Sequence, residues 1–480
     1  MISVAVVGGG FGGVGAAALL RRAGYTDVTV FERSARVGGV WQDNVYPGAA
    51  CDIPSHFYEF SFAPNHDWSR RYAPAAEIRE YIERVARQEG VHAQIRTGVE
   101  VREARWLASQ RLWELQTSAG PARAQVLITA CGQLSIPRLP EIPGRESFAG
   151  QAFHTARWQP DVELRGRRVA VIGTGASAIQ VVPAIAPQVA ALDVYQRSPG
   201  WTLPRYDHGY PQPLRRAFAL WPSLQRLDRA MTFAGLELMT LALTGQPWLR
   251  PAFRRVGLRQ IERAVRDPQL RAKVTPRDEI FCKRIMLTDN WYSTLVRENV
   301  TLITEPISQI TPAGVICEQG VERPADVLVF ATGFRSHAFL EPMRVIGAAG
   351  GTLQDAWAGL PHAYYGLSVP GFPNMFMLYG PNTNSGSGSV VFTLECGIRH
   401  VICALSQLSR RGASTIEVQP AAEAAFNARL RAALARSVWH TGCRSWYLDE
   451  SGNDPSQWPW LWSRYRRSTS RLIPGDYRIA

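Results

Sequence analysis

Two glycine-rich loops, each placed between a short apolar run and a helical pattern, constrain the fold of this 480-residue chain more than any other feature. The first loop follows the β-branched run that ends at Val7, and the second follows a similar run that ends at Ile172. Strand, glycine loop, helix and second strand in this order build the phosphate-binding unit of a dinucleotide site. The repetition predicts an α/β protein with two Rossmann-like dinucleotide-binding domains.

The first loop carries Gly8, Gly10 and Gly13 in GxGxxG spacing. The first glycine permits the tight turn, the second admits a pyrophosphate, and the third lets the helix pack against the strand. The helix N-terminus then faces the phosphates with the positive end of its dipole. The next strand ends in Glu32, whose carboxylate accepts hydrogen bonds from ribose hydroxyls and disfavours a 2′-phosphate. This loop is therefore predicted to hold FAD or NAD.

The second loop carries Gly173, Gly175 and Ala178 in a GxGxxA variant of the same pattern. The strand that follows ends at Arg197 instead of an acid, and an arginine at this point pairs with a 2′-phosphate. The two loops together predict FAD in the first domain and NADPH in the second. A flavin disulfide reductase would share this plan, but it needs a dithiol pair, and the cysteine spacing indicates none.

Composition narrows the remaining classes. The seven cysteines, an odd number without CxxC or metal-ligand spacing, favour reduced thiols in a cytoplasmic protein with no metal site. The net charge of +13 favours anionic partners, but it is spread along the chain without a nucleic-acid-binding motif, so no nucleic-acid partner is expected. The most membrane-like segment, Met231–Gly245, is shorter than the roughly 20 apolar residues that a span needs. We expect a buried or interfacial helix there, without stable membrane insertion.

The connector between the two loops carries a more specific signal. Its stretch FAGQAFHTARW fits FxGxxxHxxxW, with Phe148, Gly150, His154 and Trp158 at the fixed positions. This pattern resembles the fingerprint of type I Baeyer–Villiger monooxygenases, within the class B flavoprotein monooxygenases. Other segments resemble the same family in the same order, and they are Gly38–Asp52, Ala130–Pro137, Cys282–Tyr292 and Asp326–Phe334.

The resemblance implies a reaction that uses FAD, NADPH, O₂ and a small-molecule ketone. Oxygen is inserted next to the carbonyl through a C4a-peroxyflavin, which gives an ester or lactone. Two alternatives stay open at this point. One is an N- or S-oxygenating flavin monooxygenase on the same fold, which usually lacks the final tryptophan of the fingerprint. The other is a flavoprotein that oxidises NADPH without oxygenating a substrate.

The resemblance also implies roles for individual residues. Arg284 is the catalytic cation beside the reacting oxygen, and Asp52 holds it by charge-assisted hydrogen bonds; a purely structural ion pair is the alternative. Lys283 contacts the 2′-phosphate together with Arg197, and the fingerprint couples the two domains. The expected cofactor contacts are Gly8, Gly10, Phe11, Gly13, Glu32, Val40, Trp41, Gln42, Asp43, Ala50, Cys51, Asp52, Tyr58, Val99, Gly173, Thr174, Gly175, Ala176, Ser177, Ala178, Arg197, Ser198, Lys283, Arg284 and Val390.

The order of the motifs predicts a nested organisation. Residues 1–150 and 326–480 are expected to form the FAD domain, and residues 151–325 the NADP domain, with a helical insertion at about 201–281. The tryptophan-rich C-terminal region is interpreted either as a substrate-pocket lining or as core packing. The insertion and the small-residue loop SGSGS, at 385–389, depart from the family pattern. The identity of the ketone and the oligomeric state therefore stay open.

Overall fold

The computed structural model describes residues 2–384, 386–443 and 445–480. Its first sheet has five parallel strands, in the spatial order Met375–Met377, Val126–Thr129, Val4–Val7, Val28–Glu32 and Ile95–Thr97. The central strand, VAVV, is buried throughout, as the β-branched residues of a parallel sheet covered on both faces should be. The helix Phe11–Arg22 follows the first glycine loop and packs beside the helix Val390–Arg411.

The second sheet repeats this architecture with a different set of strands. Its five parallel strands lie in the order Val300–Ile303, Ala191–Tyr195, Arg168–Ile172, Val327–Phe330 and Gln151–His154. The helix Ala178–Ile185 follows the second glycine loop. Since Val327–Phe330 pairs within this sheet, the chain crosses back toward the first sheet after Phe330, a few residues beyond the boundary at 326. Two Rossmann-like units are thus present, and the second is nested within the first.

Smaller elements complete the two units. One mixed sheet contains Arg344–Ile346, Val101–Leu107, Leu112–Thr117 and Gly120–Ala124, and an antiparallel sheet contains Ile307–Ile310, Gly314–Cys317 and Glu322–Pro324. Two strand pairs join Thr202–Leu203 to Met286–Leu287 and Ile416–Val418 to Tyr477–Ile479. The remaining α-helices are Val40–Asp43, Ala75–Gln88, Gln212–Leu220, Pro222–Thr244, Arg250–Ala264, Pro268–Val274, Trp291–Leu295, Leu353–Trp357, Pro420–Leu434 and Trp462–Thr469.

The state of the cysteines differs from the sequence-based expectation. Cys282 and Cys443 form a disulfide across 161 positions, whereas Cys51, Cys131, Cys317, Cys396 and Cys403 are free. The expectation of reduced thiols throughout, with no cysteine pair, was therefore wrong. Spacing rules recognise pairs that are close in sequence, whereas this pair is created only by folding.

The most membrane-like helix of the structure also differs from the segment that the sequence singled out. In the described part of the chain, the helix that is long and apolar enough to cross a membrane is Val390–Arg411, rather than Met231–Gly245. About two-thirds (67%) of its most apolar window is buried inside the protein, as in the core helix of a globular fold. The segment Met231–Gly245 instead forms the end of the helix Pro222–Thr244, which has an exposed apolar side.

Candidate active site

The first glycine loop is shaped by contacts that a side chain would break. Gly8 has a φ of +110°, and a Cβ added there would lie 2.4 Å from the carbonyl oxygen of Ala130. A Cβ on Gly13 would lie 1.8 Å from the oxygen of Gly8, so only glycine allows the helix this close to the turn. Glu32, at the end of the next strand, accepts hydrogen bonds from the backbone N–H of Gly9 and of Ser34, at 2.5 and 2.7 Å. The acid is thus held against the loop.

A second segment lies over this loop. The N–H of Gly38 donates to the carbonyl of Gly9 at 3.0 Å, and the short helix Val40–Asp43 follows. Trp41 in that helix meets Tyr58 at a ring-centroid distance of 5.6 Å, and Tyr58 meets Phe11 at 5.3 Å. Three of the aromatic and helical positions expected to contact a flavin are therefore neighbours in space.

The remaining expected positions of the first unit lie around the same loop. The N–H of Val99 donates to the carbonyl of Glu32 at 2.9 Å, so Val99 lies beside the acid that is expected to bind a ribose. Asp43 pairs with Arg33 at 3.9 Å. Val390 is half-buried at the start of the helix Val390–Arg411, which packs on the helix that follows the loop. Val99 and Asp43 therefore lie near Glu32 and Arg33, at the end of the strand Val28–Glu32.

The second glycine loop is built like the first but is more open. Gly173 has a φ of +112°, and a Cβ there would lie 2.4 Å from the carbonyl oxygen of Ala331. A Cβ on Gly175 would meet no atom within 4 Å, and Gly175 and Ala176 are exposed. Thr174 and Ser177 are half-buried on either side, and Ala178 starts the buried helix. The backbone of this loop is therefore accessible to an incoming phosphate.

Cationic side chains collect beside the second loop. Arg197 is exposed at the end of the strand Ala191–Tyr195, and Ser198 follows it. Lys283 donates to the hydroxyl of Ser198 at 3.2 Å and pairs with Asp278 at 2.5 Å. Folding thus brings Lys283 to the arginine-ended strand, although 85 positions separate Lys283 from Ser198.

The central feature of the site is an ion pair between the two units. Arg284 donates from Nη2 to Oδ2 of Asp52 at 2.6 Å, across 232 positions of sequence. Attraction to Asp52 raises the pKa of Arg284, so this guanidinium stays charged. Burial alone would raise the pKa of the Asp52 carboxyl, but the charge and hydrogen bond of Arg284, together with the charge of Arg205, lower it overall. Both partners are therefore ionised at neutral pH.

Two tyrosines complete the surroundings of Arg284. Burial raises the pKa of Tyr447 to about 12, and the charge of Arg284 opposes that rise. Burial also raises the pKa of Tyr379, whose hydroxyl donates to Oδ1 of Asn384 at 2.6 Å. Both phenols are neutral hydrogen-bonding groups at working pH. Asp52 and these two neutral phenols thus share the electrostatic environment of Arg284, whose side chain keeps 26% of its surface exposed.

Two residues that sequence reasoning missed hold the segment Ala50–Asp52. Gln180, in the helix after the second loop, donates to the carbonyl of Ala50 at 2.9 Å and accepts from the hydroxyl of Tyr46 at 2.9 Å. Arg205 donates to the carbonyl of Cys51 at 2.7 Å. Gln180 lies two positions after the GxGxxA motif, which is a signal that could have found it. Arg205 stands in a connector without any motif.

Comparison with known proteins decides the family. Over 480 residues the chain is 41% identical to a Baeyer–Villiger monooxygenase of Streptomyces coelicolor, covering all of this chain and 92% of the relative. It is 40% identical to a Baeyer–Villiger monooxygenase of Pseudomonas aeruginosa, over 99% of this chain and 91% of the relative. The chain belongs to the Baeyer–Villiger monooxygenases.

Solved structures agree with this assignment. A steroid monooxygenase bound to NADP superposes with a TM-score of 0.89 at 31% identity, and a closed cyclohexanone monooxygenase with 0.89 at 27%. Each comparison covers 100% of this chain and 99% of the other. The family model described as pyridine nucleotide-disulphide oxidoreductase matches residues 5–211. That match spans both glycine loops, the part of the plan that Baeyer–Villiger monooxygenases share with flavin disulfide reductases.

The residues present in this Baeyer–Villiger monooxygenase fit a flavin in the first unit. Oε1 of Gln42 and Oε1 of Gln133 are buried acceptors without a donor among the described residues. Buried acceptors are normally satisfied, so they point to a bound partner that carries N–H or O–H groups. Together with the glycine turn, they form a cradle suited to the donor-rich polar part of a flavin nucleotide.

The fingerprint of this monooxygenase lies where the chain passes between its two units. A Cβ on Gly150 would lie 2.4 Å from the carbonyl oxygen of Asp326, so the connector packs closely against the returning chain. His154 is buried and meets the ring of Phe334 at 5.5 Å, and burial lowers its pKa to about 4. Trp158 packs edge-on against Phe153 at 5.0 Å. Half-buried Phe148 packs against the core cluster beneath the second sheet.

The tryptophan-rich region divides into two parts. Trp458 is buried against its neighbours Trp460 and Tyr465, with ring centroids 4.8 and 4.9 Å apart, which is core packing. Trp439 instead lies against Gly386. The ring centroids of Trp439 and Tyr447 are 6.3 Å apart. Trp446 also packs against Tyr447, at 4.5 Å, so Trp439 and Trp446 are the tryptophans of this region that are described beside a neighbour of Arg284. Ser385, the first residue of the SGSGS loop, lies outside the described residues.

Proposed function

We propose that Arg284 and Asp52 form the catalytic pair of an FAD-dependent monooxygenase that uses NADPH and O₂ to insert oxygen next to a ketone carbonyl. The observation that carries the proposal is their hydrogen bond at 2.6 Å, which joins the two nucleotide units. A cation fixed at this junction lies between the flavin-side and nicotinamide-side loops, where negative oxygen must be stabilised.

The chemistry divides between cofactor and protein. Bound FAD supplies the redox step with NADPH and the activation of O₂. Arg284 donates hydrogen bonds to the substrate oxygen, which gains negative charge as its carbonyl carbon becomes tetrahedral. Asp52 keeps the guanidinium in position, and its own lowered pKa keeps it ionised. Tyr447 stays protonated and is proposed to serve as a neutral donor near the same oxygen, whereas the hydroxyl of Tyr379 is engaged with Oδ1 of Asn384.

The two cofactors are assigned to the two loops. Gly8, Gly10 and Gly13 with Glu32 are proposed to hold the adenosine and pyrophosphate of FAD, and the surrounding contacts are Phe11, Val40, Trp41, Gln42, Asp43, Tyr58, Val99 and Val390. The loop Gly173–Ala178 is proposed to hold the pyrophosphate of NADPH. Arg197, Ser198 and Lys283 would hold its 2′-phosphate, and Ala50 and Cys51 would face the nicotinamide. The enzyme is proposed to work in the cytoplasm, which supplies NADPH.

The proposal is tested by product analysis of Arg284→Ala with a cyclic ketone and a thioether. We expect NADPH still to reduce the flavin, which is measured as loss of absorbance near 450 nm. The lactone yield should fall by about 10²–10³-fold. The matched control is Arg168→Ala, which removes a surface arginine paired with Asp326 at 2.6 Å and should keep the full yield. Retained lactone in Arg284→Ala overturns the role of Arg284. Sulfoxide without lactone from the unaltered enzyme would instead favour the N- or S-oxygenating function.

A further inference from the structure

The helix Pro222–Thr244 leaves one side uncovered. Leu224, Leu227, Met231 and Leu238 are spaced by three, four and seven positions, which places them on one side of a helix. All four are exposed, and Leu227 and Met231 retain 55% and 59% of their accessible surface. Ala230, Ala234 and Gly235 on the same side are also exposed. The result is an apolar strip about 21 Å long between Leu224 and Leu238.

The opposite side of this helix is firmly attached, so the exposed strip has a fixed orientation. Phe233 packs between Phe57 and Phe392, with ring centroids 5.7 and 5.3 Å away. Glu237 accepts a hydrogen bond from the backbone N–H of Trp462 at 2.7 Å. Thr240 and Ser387 share a hydrogen bond at 2.8 Å between their hydroxyls. Rotation of the helix to bury the strip would break all of these contacts.

Exposed aromatic and aliphatic residues extend the strip at both ends. Leu220 and Trp221 precede the helix, and Trp248 lies in the turn after it, with 72%, 61% and 71% of their surfaces exposed. We name the whole set the insertion stripe, and its members are Leu220, Trp221, Leu224, Leu227, Met231, Leu238 and Trp248. Tryptophan is the residue type that prefers the boundary between lipid and water.

The sequence segment that contains the insertion stripe is strongly cationic. Residues 212–264 contain nine arginines against three acids. Several of these charged groups are engaged within the protein. Asp228 pairs with His56 at 2.8 Å and Glu237 binds Trp462, while Arg215 pairs with Asp67, Arg229 donates to backbone carbonyls and Arg250 is buried. Six arginines in the helices Gln212–Leu220, Pro222–Thr244 and Arg250–Ala264 are exposed, and they are Arg216, Arg226, Arg254, Arg255, Arg259 and Arg263.

We propose that the insertion stripe docks this enzyme on the surface of an anionic phospholipid bilayer. An exposed apolar helix side with aromatic ends, in a segment rich in exposed arginines, matches the chemistry of helices that lie in the lipid headgroup region. A large exposed apolar patch on a folded protein marks an interaction site. A second copy of this chain fits less well, because a two-fold contact would bring the two arginine-rich surroundings together.

The docking is superficial and does not depend on the reaction. The helix contains Arg226, Arg229 and Glu237, and its inner side is packed, so it cannot span the bilayer. The inner side does contact Ser387, near the loop that precedes Val390 on the proposed flavin side. Docking would therefore place that side of the enzyme next to a phase in which apolar ketones are concentrated.

The test is flotation of the full-length FAD-loaded enzyme with vesicles of phosphatidylcholine, alone or mixed with phosphatidylglycerol. We expect binding to the anionic vesicles and a loss with rising salt. The variant Leu227→Glu with Met231→Glu should lower the bound fraction at least about tenfold, because it replaces two exposed apolar side chains that would enter the lipid surface on binding. The control, Val296→Glu with Val321→Glu, adds the same charge at two exposed apolar residues outside the insertion stripe and should bind normally.

Further measurements make every outcome decisive. Flavin content and melting temperature show whether a variant is folded, and Arg254→Gln with Arg255→Gln provides a second variant that leaves the apolar strip intact. This arginine variant should lose binding to anionic vesicles by a few-fold to about tenfold. Absence of flotation by the unaltered enzyme, or equal flotation of the stripe variant and its control, overturns the proposal. So does a dimer in light scattering that the stripe variant alone dissociates, with no lipid binding.

Discussion

The two nucleotide units of this chain share one backbone plan and differ in what surrounds it. Gly8 and Gly173 adopt nearly the same φ, +110° and +112°. A Cβ added to either glycine would lie 2.4 Å from the carbonyl oxygen of the residue that follows a neighbouring strand. Beyond the turn the units diverge. The first loop is covered, since Gly39 lies against Gly10, whereas a Cβ on Gly175 would meet no atom within 4 Å.

The difference indicates how each unit handles its nucleotide. A covered loop with a buried acid, Glu32, suits a cofactor that stays bound through many turnovers. An open loop beside an exposed arginine, Arg197, suits a cofactor that enters and leaves in each cycle. The turn itself is therefore general, and the covering segment and the residue that ends the next strand set the chemistry.

The largest expected effect on this comparison comes from substituting the third motif position, which is Gly13 in the first loop and Ala178 in the second. Gly13→Ala places a Cβ 1.8 Å from the oxygen of Gly8, and we expect FAD occupancy to fall about 100-fold through overpacking. The converse change in the second unit, Ala178→Gly, should cost only about 1 kcal/mol of stability and keep the flavin. The ratio of absorbance at 450 and 280 nm measures occupancy. Full flavin content in Gly13→Ala would mean that the tight first turn is not required.

The next effect concerns the phosphate selectivity of the second unit. Lys283→Ala should lower the preference for NADPH over NADH, as a ratio of kcat/KM values, by about tenfold, because a charge-assisted contact is lost. The chain has one other lysine, Lys273, which is exposed in the helix Pro268–Val274. Lys273→Ala is the matched control and should leave the ratio unchanged. Equal ratios in both variants would remove Lys283 from the NADPH site.

A smaller effect is expected in the pH dependence of the ion pair that joins the units. Burial would raise the pKa of Asp52, but Arg284 lowers it overall, so the pair stabilises the fold fully above the ordinary aspartate value near 4. That contribution is lost as the pH falls through the lower folded value. Asp52→Asn should therefore melt about 2 °C lower at pH 7, with the difference shrinking below about pH 4. A melting difference that grows on acidification would contradict the lowered pKa.

The smallest effect lies at the contact between the units. Gln180→Ala removes three hydrogen bonds to Tyr46 and Ala50 in the segment that precedes Asp52, worth about 1 kcal/mol, and should slow flavin reduction by NADPH about fivefold. Stopped-flow absorbance measures this rate. Gln159→Ala, at an exposed glutamine of the connector, serves as the control. An unchanged reduction rate in Gln180→Ala would show that the two units position the nicotinamide without this contact.

Local patterns explain what could be predicted from the sequence. Both glycine loops, Glu32 and Arg197 follow rules of short range, because strand, turn and helix are adjacent in the chain. The structure shows both glycine turns, with Glu32 ending the strand after the first turn and Arg197 following the strand after the second. The nucleotide contacts of these residues stay predictions. The pairing of Asp52 with Arg284 came only from resemblance to a family, since 232 positions separate the partners.

Contacts created by folding explain what was missed. Gln180 and Arg205 hold Ala50 and Cys51 through backbone carbonyls, which leave no trace in the pattern of side chains. The helix Pro222–Thr244 is apolar on both sides, so its periodicity indicated a helix without indicating which side faces water. The disulfide between Cys282 and Cys443 was missed because the spacing rules detect cysteine pairs that are close in sequence, whereas 161 positions separate these two residues.

That bond has a mechanical consequence. Cys282 stands two positions before Arg284, and Cys443 stands four before Tyr447. The guanidinium and the phenol are thus tethered into a single mechanical piece. If the second nucleotide unit rotates during the reaction cycle, the segment around Cys443 must move together with Cys282. Arg284 and Tyr447 would then stay near each other in every position of that unit.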